Sequence, residues 1–192
     1  MKMIEQLKKH PANSKLAMLI RHADRERIPD GEFGNEIPIN EKGKLNAIAF
    51  GEKLQGQQVK RIFTSPIYRC IQTAEHISIG YNKKLEIIST KSLGDPGLHT
   101  EDELVAGEFY LKYGFDELYR RFIEGESIPG VTSPSNYHAA MTKFLKENTT
   151  EPGLTIFVTH DSLIAFYDFC LSGTVYTKEN WVKYLSGLIL NY

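Results

Sequence analysis

The sequence predicts an α/β fold of three layers, α/β/α, around a mainly parallel central sheet, and three observations carry that expectation. Two apolar runs, Leu16-Ala17-Met18-Leu19-Ile20 and Thr155-Ile156-Phe157-Val158, have the length of strands buried on both faces and end abruptly in charge. Short strand-like runs alternate with segments whose apolar residues recur at helical spacing. The chain has 192 residues, 41% hydrophobic and 24% charged, which suits a single domain over residues 1–192 with a sizeable core.

Taken in order, residues 1–15 contain no apolar stretch of the signal-peptide kind, and no run approaches membrane-spanning length. Cys70 and Cys170, the only cysteines, fit a reduced chain better than a disulfide framework, so a cytoplasmic location is expected. The first strand ends in Arg21-His22-Ala23-Asp24-Arg25. Residues 26–38 form a polar loop with Gly and Pro, long for a structureless connection and therefore a candidate functional loop. Asn40 is placed to cap a helix in which Leu45, Ile48 and Ala49 recur at helical spacing. Residues 59–63 read as the second strand. Thr64-Ser65-Pro66 then predicts a helix start with Ser65 at the N-cap and Pro66 at N1, its buried face marked by Ile67, Ile71, Ala74 and Ile77 or Ile79.

A third strand is expected at 85–88, followed by a loop at 91–100 that holds Gly94-Asp95-Pro96-Gly97. Helical segments rich in Glu, Leu and aromatics run from about 101 to 122. A second loop at 124–133 leads through Ser133-Pro134 into a helix with Tyr137, Ala140, Met141, Phe144 and Leu145. Residues 155–158 are the last central strand, 161–171 the last long helix, and 186–192 a candidate edge strand. The insertions at about 26–38 and 91–130 are the segments available to cover a site at the strand ends.

Those strand ends are where open α/β sheets bind ligands. Arg21 and His22 arrive at one, with Arg25 just beyond. His160 and Asp161 arrive at another, and Arg69 lies near the start of the helix between them, where backbone N–H groups favour an anion. Arginine forks grip two phosphoryl oxygens at once, a neutral imidazole nitrogen can attack phosphorus, and a carboxylic acid can protonate the leaving oxygen. Each residue also has a plainer reading. Asp161 suits an N-cap as well as catalysis, Asp95 reads first as a turn residue, and His99 as a loop-surface residue. The net charge of −1 gives no reason to expect a nucleic-acid or membrane-surface partner.

Arg21-His22-Ala23 resembles the Arg-His-Gly signature of the histidine phosphatase superfamily, the phosphoglycerate mutase and acid phosphatase group. Thr64-Ser65-Pro66 with Arg69, Gln72-Thr73-Ala74, and Val158-Thr159-His160-Asp161 follow in that family's order. The resemblance implies a phosphoglycerate mutase-like fold with His22 as the nucleophile that becomes phosphorylated. Arg21, Arg69 and His160 would complete the phosphate pocket, with Arg25 as a further phosphate-gripping arginine. Asp161 matches the proton donor of the acid-phosphatase branch; in the mutase branch the acid comes from the loop after the third strand, where Asp95 stands. Ala23 departs from the signature glycine, and Arg27 stands where the longer acid-phosphatase motif has proline. The chain is too short for the large helical cap of the secreted acid phosphatases.

The expected reaction is hydrolysis of a phosphomonoester, small-molecule or phosphoprotein, through a phosphohistidine, with no metal and no other cofactor. A mutase-like phosphotransferase and a non-catalytic phosphate- or phosphoprotein-binding module are the alternatives. A Cys-x5-Arg phosphatase would need arginine at 76 or 176, which are His76 and Tyr176. The six histidines include no His-x3-His pair, and neither Cys-x2-Cys nor a P-loop occurs. The aromatics Phe109, Tyr110, Tyr113, Phe115, Tyr119 and Phe122 are read as helix packing rather than a substrate cleft, and Trp181 and Tyr184 as packing for the final strand.

Overall fold

The computed structural model describes every residue except 1, 12 and 30, and for Lys2 the backbone alone. The sequence readings of the first fifteen residues and of the 26–38 loop therefore stop short of those three positions. A short helix, α1 (Lys2–Leu7), precedes strand β1 (Lys15–Arg21). There follow α2 (Glu41–Lys53), β2 (Val59–Thr64), α3 (Tyr68–Tyr81) and β3 (Glu86–Ser89). A 3₁₀ turn (Lys91–Leu93) leads to α4 (Glu103–Glu124), α5 (Pro134–Glu147), β4 (Gly153–Thr159), α6 (Asp161–Ser172) and β5 (Gly187–Asn191).

The sheet order is β3-β2-β4-β1-β5, parallel throughout except for β5, which runs antiparallel to β1 along the edge. The mainly parallel sheet and the closing edge strand are as the sequence predicts. Alternation along each strand splits the core in two. Met18, Ile20, Ile62, Ile156 and Val158 pack on the layer of α1, α2 and α3. Ala17, Leu19, Phe63 and Phe157 pack on that of α4, α5 and α6, with Phe63 and Phe157 stacked at 5.2 Å. The result is three layers, α/β/α.

Local differences from the sequence reading have physical causes. In α2 the residues turned inward are Gly43, Ala47, Phe50 and Gly51, while Leu45 is 68% exposed. The helix packs through its glycines: a Cβ at Gly51 would strike the Ile77 carbonyl, and one at Gly80 of α3 would strike the Ile48 carbonyl. So close a backbone approach carries no hydrophobic periodicity to read. Asn40 does cap α2, its side chain accepting from the Gly43 amide. Helix α3 begins at Tyr68 rather than at Pro66, and its N-cap is Ile67 rather than Ser65. Ile77 lies on its buried face and Ile79 is 61% exposed. Helix α5 follows Ser133-Pro134 as expected, and Ser133 caps it by accepting from the Asn136 amide. Helix α4 is broken at Gly114, whose φ of 78° and ψ of 172° leave the helical region. Among the described residues, no helix is long and apolar enough to cross a membrane.

Candidate active site

Because β1, β2 and β4 are parallel neighbours, their carboxyl ends open at one rim, and the register brings the two histidine motifs abreast. Arg21 pairs with Thr159, and the next amide, that of His22, donates to the Thr159 carbonyl at 2.9 Å. His22 and His160 therefore leave the sheet side by side, with ring centroids 5.6 Å apart. On the other flank the Ser65 amide donates to the Val158 carbonyl and delivers Ser65 to the same rim.

Both imidazoles are oriented by what holds their second nitrogen. The Nδ1 of His22 lies 2.8 Å from the Ala23 carbonyl, a contact that only an Nδ1–H can satisfy, so Nε2 carries the lone pair. The Ala23 amide in turn donates to Thr73 Oγ1, and the Thr73 hydroxyl donates to the Arg69 carbonyl. Burial holds His22 well below the ordinary imidazole pKa, and the neighbouring His160 and Arg69 push it further down. The ring is neutral at pH 7. His160 shows the opposite tautomer: its Nε2–H meets Ser65 Oγ at 3.0 Å, and its Nδ1 accepts from Arg69 Nη2 at 3.3 Å. Burial, then Arg69, lowers His160 to about 3. The hydroxyl expected to cap α3 is the one that orients His160.

Arg69 links the two rings. Its Nε donates to His22 Nε2 at 3.2 Å, and its Nη1 to the Gly34 carbonyl at 2.6 Å. Arg21 turns to the far side of His22, where Nη2 meets Asp161 Oδ2 at 2.8 Å, Nη1 donates to the Val182 carbonyl and the guanidinium lies 4.1 Å over the Tyr184 ring. Asp161 opens α6 as its first residue, the N-cap being His160. Its carboxylate accepts from Arg21, from Trp181 Nε1 at 2.9 Å and from the Ser162 amide at 3.0 Å. Burial alone would raise its pKa, but Arg21 and the Trp181 hydrogen bond outweigh that, and the group sits below its ordinary value. Arg25 donates from Nη1 to the Glu26 carbonyl, while its buried Nε has no hydrogen-bond partner.

His22, Arg25, Arg69, His160 and Asp161 open onto one cavity of about 870 Å³, also lined by Asp95. The fold brings these side chains to one cavity, with Arg21 just behind the wall and bound to Asp161. Gly94, beside Asp95, has φ +138°, and a Cβ there would lie 2.7–2.9 Å from the His160 ring and Ser65 Oγ.

Three sequence readings are corrected here. His99 is not a loop-surface residue: its ring lies 5.6 Å from that of Phe166 and 6.2 Å from that of Tyr137, and burial lowers it to about 4. Trp181 and Tyr184 do more than pack the final strand, since one binds Asp161 and the other covers Arg21 and His22. The α4 aromatics divide. Phe109, Tyr119 and Phe122 are core, whereas Tyr110 and Phe115 line the cavity. No sequence spacing ties residues 181 and 184 to the motifs; only the antiparallel return of β5 brings them there. Among the described residues, no group of three or more His, Cys, Asp or Glu is arranged to hold a metal ion.

The chain is also similar to known proteins. The family model for the histidine phosphatase superfamily (branch 1) matches residues 17–171. A 2,3-bisphosphoglycerate-dependent phosphoglycerate mutase of Thermoplasma acidophilum is 27% identical over 153 residues, covering 78% of this chain and 72% of that protein. Among solved structures, the phosphoglycerate mutase of Bacillus anthracis superposes with a TM-score of 0.61 at 18% identity, over 94% of this chain and 89% of that one. A mycobacterial glucosyl-3-phosphoglycerate phosphatase gives 0.56 at 18% identity, over 84% and 81%. Mutases and phosphatases thus share this fold.

Proposed function

The chain belongs to the histidine phosphatase superfamily, and from that premise we propose that it is a metal-independent phosphomonoester hydrolase working through a phosphohistidine on His22. The observation that carries the reading is the state of His22: neutral, with Nδ1–H held by the Ala23 carbonyl and the Nε2 lone pair directed at the anion-binding arginine Arg69.

In the first step Nε2 forms a bond to phosphorus as the bond to the ester oxygen breaks. Arg69 donates to the non-bridging oxygens, and His160 joins it once phosphate takes Arg69 Nη2 from His160 Nδ1 and the imidazole proton passes from Nε2 to Nδ1, with Arg25 and Arg21 supplying further charge. Catalysis of this kind is mostly positioning and electrostatics. Asp161 gives a proton to the departing alkoxide. In the second step water attacks phosphorus, the Asp161 carboxylate takes its proton, the N–P bond breaks, and inorganic phosphate and free His22 remain. Asp161 is ionised at rest because of Arg21. A phosphate dianion entering beside it raises its pKa by repulsion and competes for Arg21, which puts the proton where it is needed. Asp95, on the same cavity, is the alternative donor. We place the activity in the cytoplasm, where the free Cys70 and Cys170 stay reduced.

The test is phosphate release from an aryl phosphomonoester between about pH 4 and 8 with chelator present. Turnover should survive the chelator and be lost in His22→Ala; turnover retained in that variant overturns the mechanism. Replacing the true donor by Asn costs about 10²–10⁴-fold with an alkyl ester and far less with nitrophenyl phosphate, whose leaving group needs no proton. Comparing Asp161→Asn with Asp95→Asn on both esters assigns the role. The mutase similarity supports a second reading, phosphoryl transfer between two phosphorylated metabolites without net release of phosphate, which the same assay separates.

A further inference from the structure

We propose that the substrate of this site is the phosphate monoester of a bulky apolar alcohol or phenol that carries no second anionic group. The chemistry rests on the hydrolase reading above; the selectivity rests on the cavity.

At about 870 Å³ the cavity lies near the upper end of small-molecule pockets and exceeds what a phosphoryl group needs. Its positive charge is gathered at the His22 end, in Arg25 and Arg69. Among the described residues, the only other lysine or arginine on its lining is Lys178, whose ammonium lies 3.1 Å from Asp116 on the same lining. His99 adds no charge at neutral pH, because burial keeps its imidazole unprotonated. Glu103 and Glu108 of α4 also line the cavity, and with Lys178 offset by Asp116 they leave the formal charge of the α4 side negative. A phosphoglycerate or phosphoserine carboxylate, or a second phosphate, would be drawn from water towards a wall of like charge whose one lysine, Lys178, is already paired with Asp116.

The rest of the wall favours apolar surface. Phe33 from the 26–38 loop stacks on Tyr110 of α4 at 5.1 Å and is 48% exposed. Leu104 and Leu111 of the same helix are 80% and 52% exposed, and all four residues line the cavity. Large side chains left open to water around a deep pocket are an apolar surface awaiting a partner. An apolar leaving group covers them while its phosphate reaches His22.

The test measures kcat/KM for alkyl phosphates from butyl to octyl, for 1-naphthyl phosphate and for 3-phosphoglycerate. Each methylene drawn into the cavity should raise kcat/KM about fourfold, or about two-hundredfold from butyl to octyl. Octyl phosphate should exceed 3-phosphoglycerate by at least about a hundredfold. Leu111→Lys, on a half-exposed position, should flatten the alkyl series and improve 3-phosphoglycerate. A flat series in the unmodified protein, or 3-phosphoglycerate as the better substrate, overturns the proposal. Calorimetric binding of butyl and octyl phosphonate reads the cavity without turnover. If no ester is hydrolysed but octyl phosphonate binds more tightly, the hydrolase reading fails and the cavity reading stands. If esters are hydrolysed without regard to chain length, the reverse holds.

Discussion

His99 gives acid stability a single-residue test. In the unfolded chain its imidazole titrates near 6.5, whereas in the fold burial lowers it to about 4. Below pH 6.5 the unfolded chain therefore binds a proton that the folded one refuses. The stabilisation is complete above pH 6.5 and is lost as pH falls towards 4. Integrating between those two values gives about 2.5 kcal/mol lost at pH 4.5, and water reaching the cavity side of the ring reduces this to about 2 kcal/mol. The perturbation is His99→Phe. The ring sits among Phe166 and Tyr137, and its buried Nδ1 has no hydrogen-bond partner, so an apolar ring gives up nothing there. Urea unfolding of both proteins at pH 7.5 and 4.5 supplies the comparison. The fall in stability between the two pH values should be smaller by about 2 kcal/mol in the variant. His22 and His160 are present in both proteins and largely cancel. An identical pH dependence would refute the assignment of His99 as a buried neutral imidazole and, with it, the uncharged cavity wall.

Two further outcomes follow from the site. Gly94→Ala sets a Cβ 2.7–2.9 Å from the His160 ring and Ser65 Oγ at a backbone φ of +138°; it should cost about 1–3 kcal/mol in chemical denaturation and lower kcat/KM at least about tenfold through the displaced imidazole. Trp181→Phe removes one of the three donors that hold Asp161 as a carboxylate; the carboxyl pKa should rise by about one unit in the ligand-free protein, read by carbon NMR, and an unmoved pKa would mean that Arg21 and the Ser162 amide hold the carboxylate without the indole.

The parts legible in the sequence are those written in local chemistry. Residues 16–20 and 155–158 announce buried strands by their unbroken apolar character, and the motifs at their ends follow because a parallel sheet opens all its carboxyl ends on one rim. Arg21, His22, Arg69, His160 and Asp161 could therefore be nominated together. Roles that depend on long-range return of the chain were not legible. Trp181 and Tyr184 reach the site only because β5 doubles back antiparallel along β1. Ser65 looked like a cap because Ser-Pro before a helix usually is one, but its hydroxyl accepts from the Ile67 amide and from His160, and the helix starts three residues later. The inner face of α2 was misread because glycine contributes no hydrophobicity to a periodicity, although it permits the closest packing. His99 looked exposed because a polar residue in a Gly- and Pro-rich loop usually is; here the loop folds over the aromatic core of α5 and α6.

The two candidate acids differ in what the fold does to them, and that difference argues for Asp161. A carboxylate that accepts from an arginine, an indole and a backbone amide is a poor acid at rest. On the proposed mechanism the same contacts make it responsive, because the arginine among them, Arg21, also neighbours His22, the proposed nucleophile, and would be drawn to a bound phosphate. Each charge-assisted hydrogen bond that Arg21 gives up is worth about 1.5–3 kcal/mol, which equals about one to two pKa units at the carboxyl. A dianion that both takes Arg21 and repels the carboxylate therefore raises the Asp161 pKa towards the working pH only while a phosphoryl group is present. Asp95 lines the cavity on the loop that closes over His160, and among the described residues no lysine or arginine is paired with it as Arg21 is with Asp161. Coupling the acid to the phosphate through a shared arginine makes proton delivery conditional on substrate, a property that a free turn carboxylate lacks.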